Sequence, residues 1–419
     1  MAPNSTSRVF SVPSSITAII SGLGISGGNV DGDVGGGIYN AGTLTVANST
    51  ISKNTVNNNG GGIFNNNGTL TVTNSTIASN RITIAGGAGG GIFNNNGTLT
   101  VTNSTISGNE SGSNGAGGGI LSSGTLTLTN STISGNTSSS GGGIYHGVDT
   151  LYVTNSTISS NTSNFGGGIA NFATVNSRNS IIAGNTASGS PDFYGPLTTQ
   201  GNNLIGNDSG ATIVAATGDQ IGTSSAPINP MLEILADNGG PTQTHALLSG
   251  STAIDAGNDC VLDNSCTPPL GVTLTTDQRG TGFARKVGAK VDIGAFEVQE
   301  AADTTPPTCT VTVTPSTLSP PNHKLVNIIT NVSVSDSDSG PNGFKLLSVT
   351  SSEADAGLGS DDMPIDIQGW IFNTADTSGQ LRSERFAKAG RTYTITYQAS
   401  DVAGNTANCS TTVTVPKGK

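Results

Sequence analysis

The sequence predicts an all-β chain: a right-handed, single-stranded parallel β-helix followed by a small β-sandwich. Composition is the first observation behind this reading. Only 33% of residues are hydrophobic, which suggests disorder, yet only 10% are charged, and 60 are glycine. Disorder by weak burial goes with high charge density, and the glycines lack the three-residue period of collagen. A stacked repeat is the remaining way to order such a chain. The second observation is that repeat, and the third is a period-two alternation inside it.

GGGIFNNNGTLTVTNSTIASN at 60–80 returns almost unchanged as GGGIFNNNGTLTVTNSTISGN at 89–109. The isoleucine after each glycine triplet falls at Ile38, Ile63, Ile92, Ile120, Ile144 and Ile169, a period of 24 to 29 residues. That suits one solenoid coil. Within a copy the spacing is fixed: Leu44 to Ile51, Leu70 to Ile77, Leu99 to Ile106, Leu126 to Ile133 and Leu151 to Ile158 are each seven residues apart. Length therefore varies between the asparagine ending each unit (Asn54, Asn80, Asn109, Asn136, Asn161) and the next triplet, which marks a loop. GGIF, TLTVT and STIS read as three short strands per coil.

Alternation points Leu70 and Val72 inward and Thr69, Thr71 and Thr73 outward. Stacked with Thr98, Thr100, Thr102, Thr125, Thr127 and Thr129, these threonines predict an exposed hydroxyl face, interrupted by Ala47 and Tyr152. An ice-binding grid is one reading of it; β-propensity on a solvent face is another. Asn48, Asn74, Asn103, Asn130 and Asn155 are expected to form an asparagine ladder at one corner. The same ladder accounts for the many N-S-T sequons without glycosylation.

The regions follow from these patterns: 1–34 as N-terminal coils, 35–189 as regular repeats, 190–300 as the irregular C-terminal end of the helix, 301–308 as a Thr-Pro linker, and 309–419 as an all-β module with strands such as TCTVTVTP and YTITYQAS. MAPNSTSRVFSVPSS lacks the basic and apolar regions of an export signal, so either such a signal has been removed or, the favoured reading, the chain starts inside a longer protein. An uncapped coil end there invites self-association.

A net charge of −11 and the lack of a basic stripe exclude nucleic acid as a partner. No apolar run is long enough for membrane insertion. The four cysteines fit two disulfides in an oxidising compartment, with four free thiols as the alternative. Between 35 and 185 the charged residues are Lys53, Arg81, Glu110, Asp149 and Arg178, scattered rather than clustered. His146 near Asp149 reads as a solvated turn, so no catalytic residue is assigned. The acidic residues of the last module, Asp336, Asp338, Asp355, Asp361 and Asp362, are candidate calcium ligands, without EF-hand spacing; no other cofactor is expected.

GGGI followed by T-L-T-L-T-N-S-T-I-S-x-N resembles bacterial pectate-lyase-like β-helix surface proteins and the repeats of polymorphic outer-membrane adhesins. PDFYG, GNNLIGN, DNGGPTQTHALLSGSTAIDAGND, DQRG and VDIGAFE follow in the order of choice-of-anchor Q proteins, a resemblance covering roughly residues 15 to 298. It implies an exported, extracellular or surface-held β-helix. It also makes Asp277, Arg279 and Asp292 a structural cap network, with Asp255, Asp259 and Glu297 nearby, rather than an active site. YQASDVAGN and PPNHKLV resemble bacterial immunoglobulin-like modules, and that resemblance implies that Cys309 and Cys409 tie the first and last strands; Cys260 and Cys266 form the other close pair. The function expected is binding, adhesin-like, to a polysaccharide or cell-surface ligand. A polysaccharide lyase or hydrolase is the second class, and a self-assembling fibre the third.

Overall fold

A computed structural model describes residues 7–299, 303–337, 340–355, 360–386 and 390–417. The chain divides into two compact units, 1–300 and 301–419. The first is a parallel β-solenoid of about 8 turns. Each regular coil contributes one strand to each of three faces, as in Ile63–Asn66, Thr69–Thr73 and Thr76–Ala78. Like pairs with like between coils: Thr69, Leu70, Thr71, Val72 and Thr73 lie opposite Thr98, Leu99, Thr100, Val101 and Thr102. The alternation fixes this register, because a one-residue slip would turn every leucine outward. Ile38, Leu44, Val46 and Ile51, with their counterparts in each coil, fill the interior completely shielded from solvent.

The corners explain the remaining repeat residues. Asn48, Asn74, Asn103, Asn130 and Asn155 take left-handed backbone conformations, with φ between 45° and 49°, which asparagine tolerates better than other side-chain-bearing residues. They stack at a corner, but their side chains form no chain of mutual hydrogen bonds: Asn103 Oδ1, Asn130 Oδ1 and both Asn155 amide atoms are buried without a partner. The hydrogen-bonded ladder belongs to the unit-ending series instead. Asn54, Asn80, Asn109, Asn136 and Asn161 each donate from Nδ2 to the next Oδ1 at 2.9 Å, and the run continues through Asn185 to Asp192. From Asn80 onward each also accepts the backbone N–H of the asparagine one coil before, as in Asn80 N to Asn109 Oδ1 at 3.0 Å, while Asn54 accepts that of Gly28. The physical reason is phase around the coil. The left-handed residues sit at a different point of the coil, where Asn130 Nδ2 meets Thr276 O of the strap rather than its own copy, whereas the Asn54 series lines up copy on copy.

The glycine triplets are set by that inward ladder. A Cβ on Gly62 would lie 2.6 Å from the Gly91 carbonyl and 2.9 Å from Asn80 Nδ2. A second internal polar file, Asn40, Asn65, Asn94 and Ser122, runs beneath the first face and continues in register to His146 and Asn171. His146 thus corrects the solvated-turn reading: its strand Ile144–His146 places it fully inside the solenoid.

Residues 193–221 still add to the coils, through Phe193–Thr199, Leu204–Ile205, Ala211–Val214 and Gln220–Ile221. Beyond them the chain does not prolong the helix, as the pattern at 190–300 suggested. It folds back as a strap along the outer face of the Thr-Ile-Ser strands, where Thr105 Oγ1 donates to Gln243 O at 2.5 Å, Thr132 Oγ1 to Gln278 Oε1 at 2.6 Å, and Ala295 N to Thr157 Oγ1 at 3.0 Å. Leu247, Ala253, Ile293 and Phe296 of the strap pack on Ile181, Ala183 and Leu204.

The second unit is an antiparallel β-sandwich. Among the described residues its seven strands are Thr308–Thr314, Leu325–Ser335, Pro341–Ser351, Ile367–Gln368, Ser378–Arg382, Arg391–Asp401 and Thr406–Val415. The first, second, fifth and fourth form one sheet and the third, sixth and seventh the other, the pairing order of constant-type immunoglobulin sandwiches. Cys309 and Cys409 join its first and last strands, and Cys260 pairs with Cys266 in the solenoid unit. Both bridges fit an oxidising compartment. Among the described residues no helix is long and apolar enough to cross a membrane.

Candidate functional site

The threonine face becomes a site where the strap rises beside it. Register aligns Thr71, Thr100, Thr127, Tyr152 and Asn176 in one outward file and Thr73, Thr102, Thr129, Thr154 and Arg178 in the next. Thr69 and Thr98 pair in a third, and Thr125 precedes the strand Leu126–Thr129. Opposite the C-terminal part of these files stands the loop that holds the Cys260–Cys266 bridge, packed on Val261, Leu274 and Val291. A cavity of about 310 Å³ opens between them. Its floor is Thr127, Thr129, Tyr152, Thr154, Arg178 and Gln200, and its wall is Pro268, Pro269, Leu270 and Val272. That volume is at the small end of ligand cavities, which run from roughly 300 Å³ upward.

Arg178 is the charged group of this floor, and only 3% of it is exposed. Its Nε donates to Gln200 Oε1 at 2.8 Å and its Nη2 to Pro268 O at 3.0 Å, so the side chain also tethers the wall to the coil. Burial presses its pKa downward, with no opposing carboxylate. Tyr152 and Val272, 41% and 54% exposed, form an open rim.

A second, shallower cleft lies along the strap edge. There Ser134 Oγ and His245 Nε2 are 2.8 Å apart, while His245 Nδ1 meets the Glu233 carbonyl at 2.7 Å. The spacing is that of a nucleophile and base. Both side chains are nevertheless buried, burial lowers the histidine pKa, and a backbone carbonyl stands where an orienting acid would be. The pair pins the strap to the coil.

The cap residues form a buried network within the strap. Arg279 meets Asp277 Oδ2 at 2.6 Å and lies between the rings of Phe283 and Phe296, 4.0 and 3.8 Å from their centroids. Arg285 meets Glu297 at 3.1 Å. Burial pushes the Glu297 carboxyl up to about 7 and raises that of Asp292. Asp292 holds the backbone N–H groups of Asp255 and Val298 at 2.8 and 2.7 Å, and Asp259 pairs with Lys286 at 2.5 Å nearer the surface. These contacts tie parts of the strap to one another, and none of these residues lines the threonine cavity.

Of the candidate calcium ligands, Asp338 lies outside the described residues. Asp336 gathers with Asp303 and Asp401, one oxygen of each within 4.8 Å of the others. Asp355 sits in a separate turn, accepting the N–H groups of Ile365 and Asp366; Asp361 is exposed and Asp362 half-buried. The trio offers three hard oxygens of the kind calcium takes, but two of its members already hold N–H groups, those of Gly340 and Asn405. Sequence reasoning missed Gln200, His245 and the proline wall, which carry no repeat signal, and it passed over Arg178 as one scattered charge. No protein-family model, curated protein or solved structure matches the chain.

Proposed function

We propose that this is an exported, extracellular or surface-held binding protein whose β-solenoid presents the threonine-floored cavity to a saccharide. One observation carries the reading. The cavity combines a file of hydroxyls, a phenol, an amide and a guanidinium with an apolar wall, the mixture of polar groups and apolar surface that fixes a small polyhydroxylated ligand. Its lining has no carboxylate and no imidazole to move a proton, so binding without turnover fits it best. The two disulfides and the choice-of-anchor Q motif order support export. Strand order in the second unit supports an immunoglobulin-like spacer module.

A second surface favours the same class. Along the first face Tyr39 stacks on Phe64 and Phe64 meets Phe93 edge to face, while Tyr145, Phe172 and Tyr194 meet in tilted pairs. Phe172 is 49% exposed, and ring faces of this kind pack against apolar sugar faces.

The test is a glycan array probed with the full chain and with Leu270→Asp, which places a charge in the cavity wall. Binding to defined glycans that Leu270→Asp abolishes is expected. Absence of binding, or release of shortened or unsaturated products from uronic-acid polymers, would overturn the reading, the latter in favour of a lyase or hydrolase.

A further inference from the structure

Resting on that reading, we infer that the saccharide carries an anionic substituent, a carboxylate or a sulfate ester, and that Arg178 is the residue that selects it. Burying a guanidinium carries a desolvation cost that a paired anion offsets. Among the described residues no ion pair includes Arg178. Its acceptors are neutral: the Gln200 amide oxygen and the Pro268 carbonyl. These satisfy Nε and Nη2 and leave the charge unbalanced, while Nη1 has no acceptor among the described residues. The other buried arginines of the molecule are treated differently. Arg279 has Asp277, Arg285 has Glu297, and Arg382 and Arg391 share Asp366. Arg178 lines a cavity open to solvent at one rim.

The position is built rather than incidental. Arg178 ends the outward file Thr129, Thr154, Arg178 in register, so a sugar lying along the file places hydroxyls against threonines and its acidic group against the guanidinium. A planar guanidinium with unused N–H groups suits a carboxylate or sulfate oxygen better than an ammonium would. The chain's net charge of −11 repels long polyanions at a distance, so recognition is of a short acidic saccharide seated in the cavity.

Isothermal titration of the whole protein with a hexuronate trisaccharide, its carboxyl-reduced neutral counterpart and a sulfated trisaccharide tests this. At least one acidic ligand is expected to bind roughly ten- to a hundredfold tighter than the neutral one, the range of a hydrogen bond to a charged group. The two acidic arms tell carboxylate from sulfate. Arg178→Gln is expected to erase the preference, and Arg178→Lys to keep part of it, with melting curves showing that both variants fold. Equal affinity of neutral and acidic ligands for the unaltered protein would overturn the inference while leaving saccharide binding in place, and that comparison needs no variant. An unchanged preference in Arg178→Gln would also overturn it. Failure of all three ligands, together with a silent glycan array, would remove the underlying reading as well.

Discussion

The coils and the strap that lies on them solve the same problem with opposite chemistry. Coils bury polar groups as neutral amides, each asparagine donating to and accepting from its copies at 2.9 Å. The strap, which has no copies, buries charges and neutralises them pairwise, Arg279 with Asp277 and Arg285 with Glu297. A repeat can satisfy an amide indefinitely because the partner recurs one coil away. A unique segment must supply each partner from its own sequence, and ion pairs of fixed geometry specify one arrangement at a desolvation cost.

The sharpest way to break this contrast is Arg279→Met, which strands a buried Asp277 carboxylate. It is expected to destabilise the strap by about 3–5 kcal/mol, seen as proteolysis within 229–299 while the coils keep their β-sheet circular dichroism. Simultaneous loss of both would mean that coils and strap form one cooperative unit. Next comes Asn109→Ala, which deprives Asn80 and Asn136 of partners at once and is expected to cost about 3 kcal/mol. Native-state hydrogen exchange of the Asn80 amide reads it directly. The corner counterpart Asn103→Ala is expected to cost only about 1 kcal/mol, through its left-handed backbone, with Asn103→Gly close to neutral; equal losses at 103 and 109 would contradict the distinction between the two series.

Asp192 blurs the contrast, since it ends the amide ladder with a carboxylate whose pKa burial pushes up to about 6. The folded state therefore holds this proton more tightly than the unfolded chain. The stability it adds is present at low pH and falls as pH rises through the window from the ordinary carboxylate value to about 6. Relative to Asp192→Asn, the unaltered protein is expected to lose about 1 kcal/mol between roughly pH 5 and pH 7. A flat difference in urea midpoints across that range would show an ionised carboxylate throughout. Smallest of all is Thr100→Val, on the outward face and outside the cavity, expected to change stability by less than about 0.5 kcal/mol.

The sequence made the coils legible because a seven-residue spacing between Leu70 and Ile77 and a period-two strand leave one register. It left the ladder ambiguous. Both asparagine series recur once per coil, and periodicity carries no information about which of them points inward; only the backbone conformation at Asn74 and Asn103 separates them. The cavity was legible in part. Its threonine floor is written in the repeat, but Thr105 meets Gln243 and Thr132 meets Gln278 across separations of 138 and 146 residues, a distance at which local pattern says nothing. Arg178 therefore looked like a stray charge until the wall above it was in place.

The strap sets a boundary on how this protein can change length over evolutionary time. Near-identical coils are natural substrates for unequal recombination, and a coil that contacts only its neighbours can be duplicated or lost in register. That freedom holds for the coils from Ile38 to about Asn95. From Asn103 onward, where Thr242 first bonds the coil, the strap spans several coils with a fixed number of residues, and the cavity depends on that span. Gain or loss of a whole coil would shift the Pro268 wall away from Arg178. The gene can thus lengthen the preceding part of the solenoid freely while the count of coils beneath the cavity stays frozen.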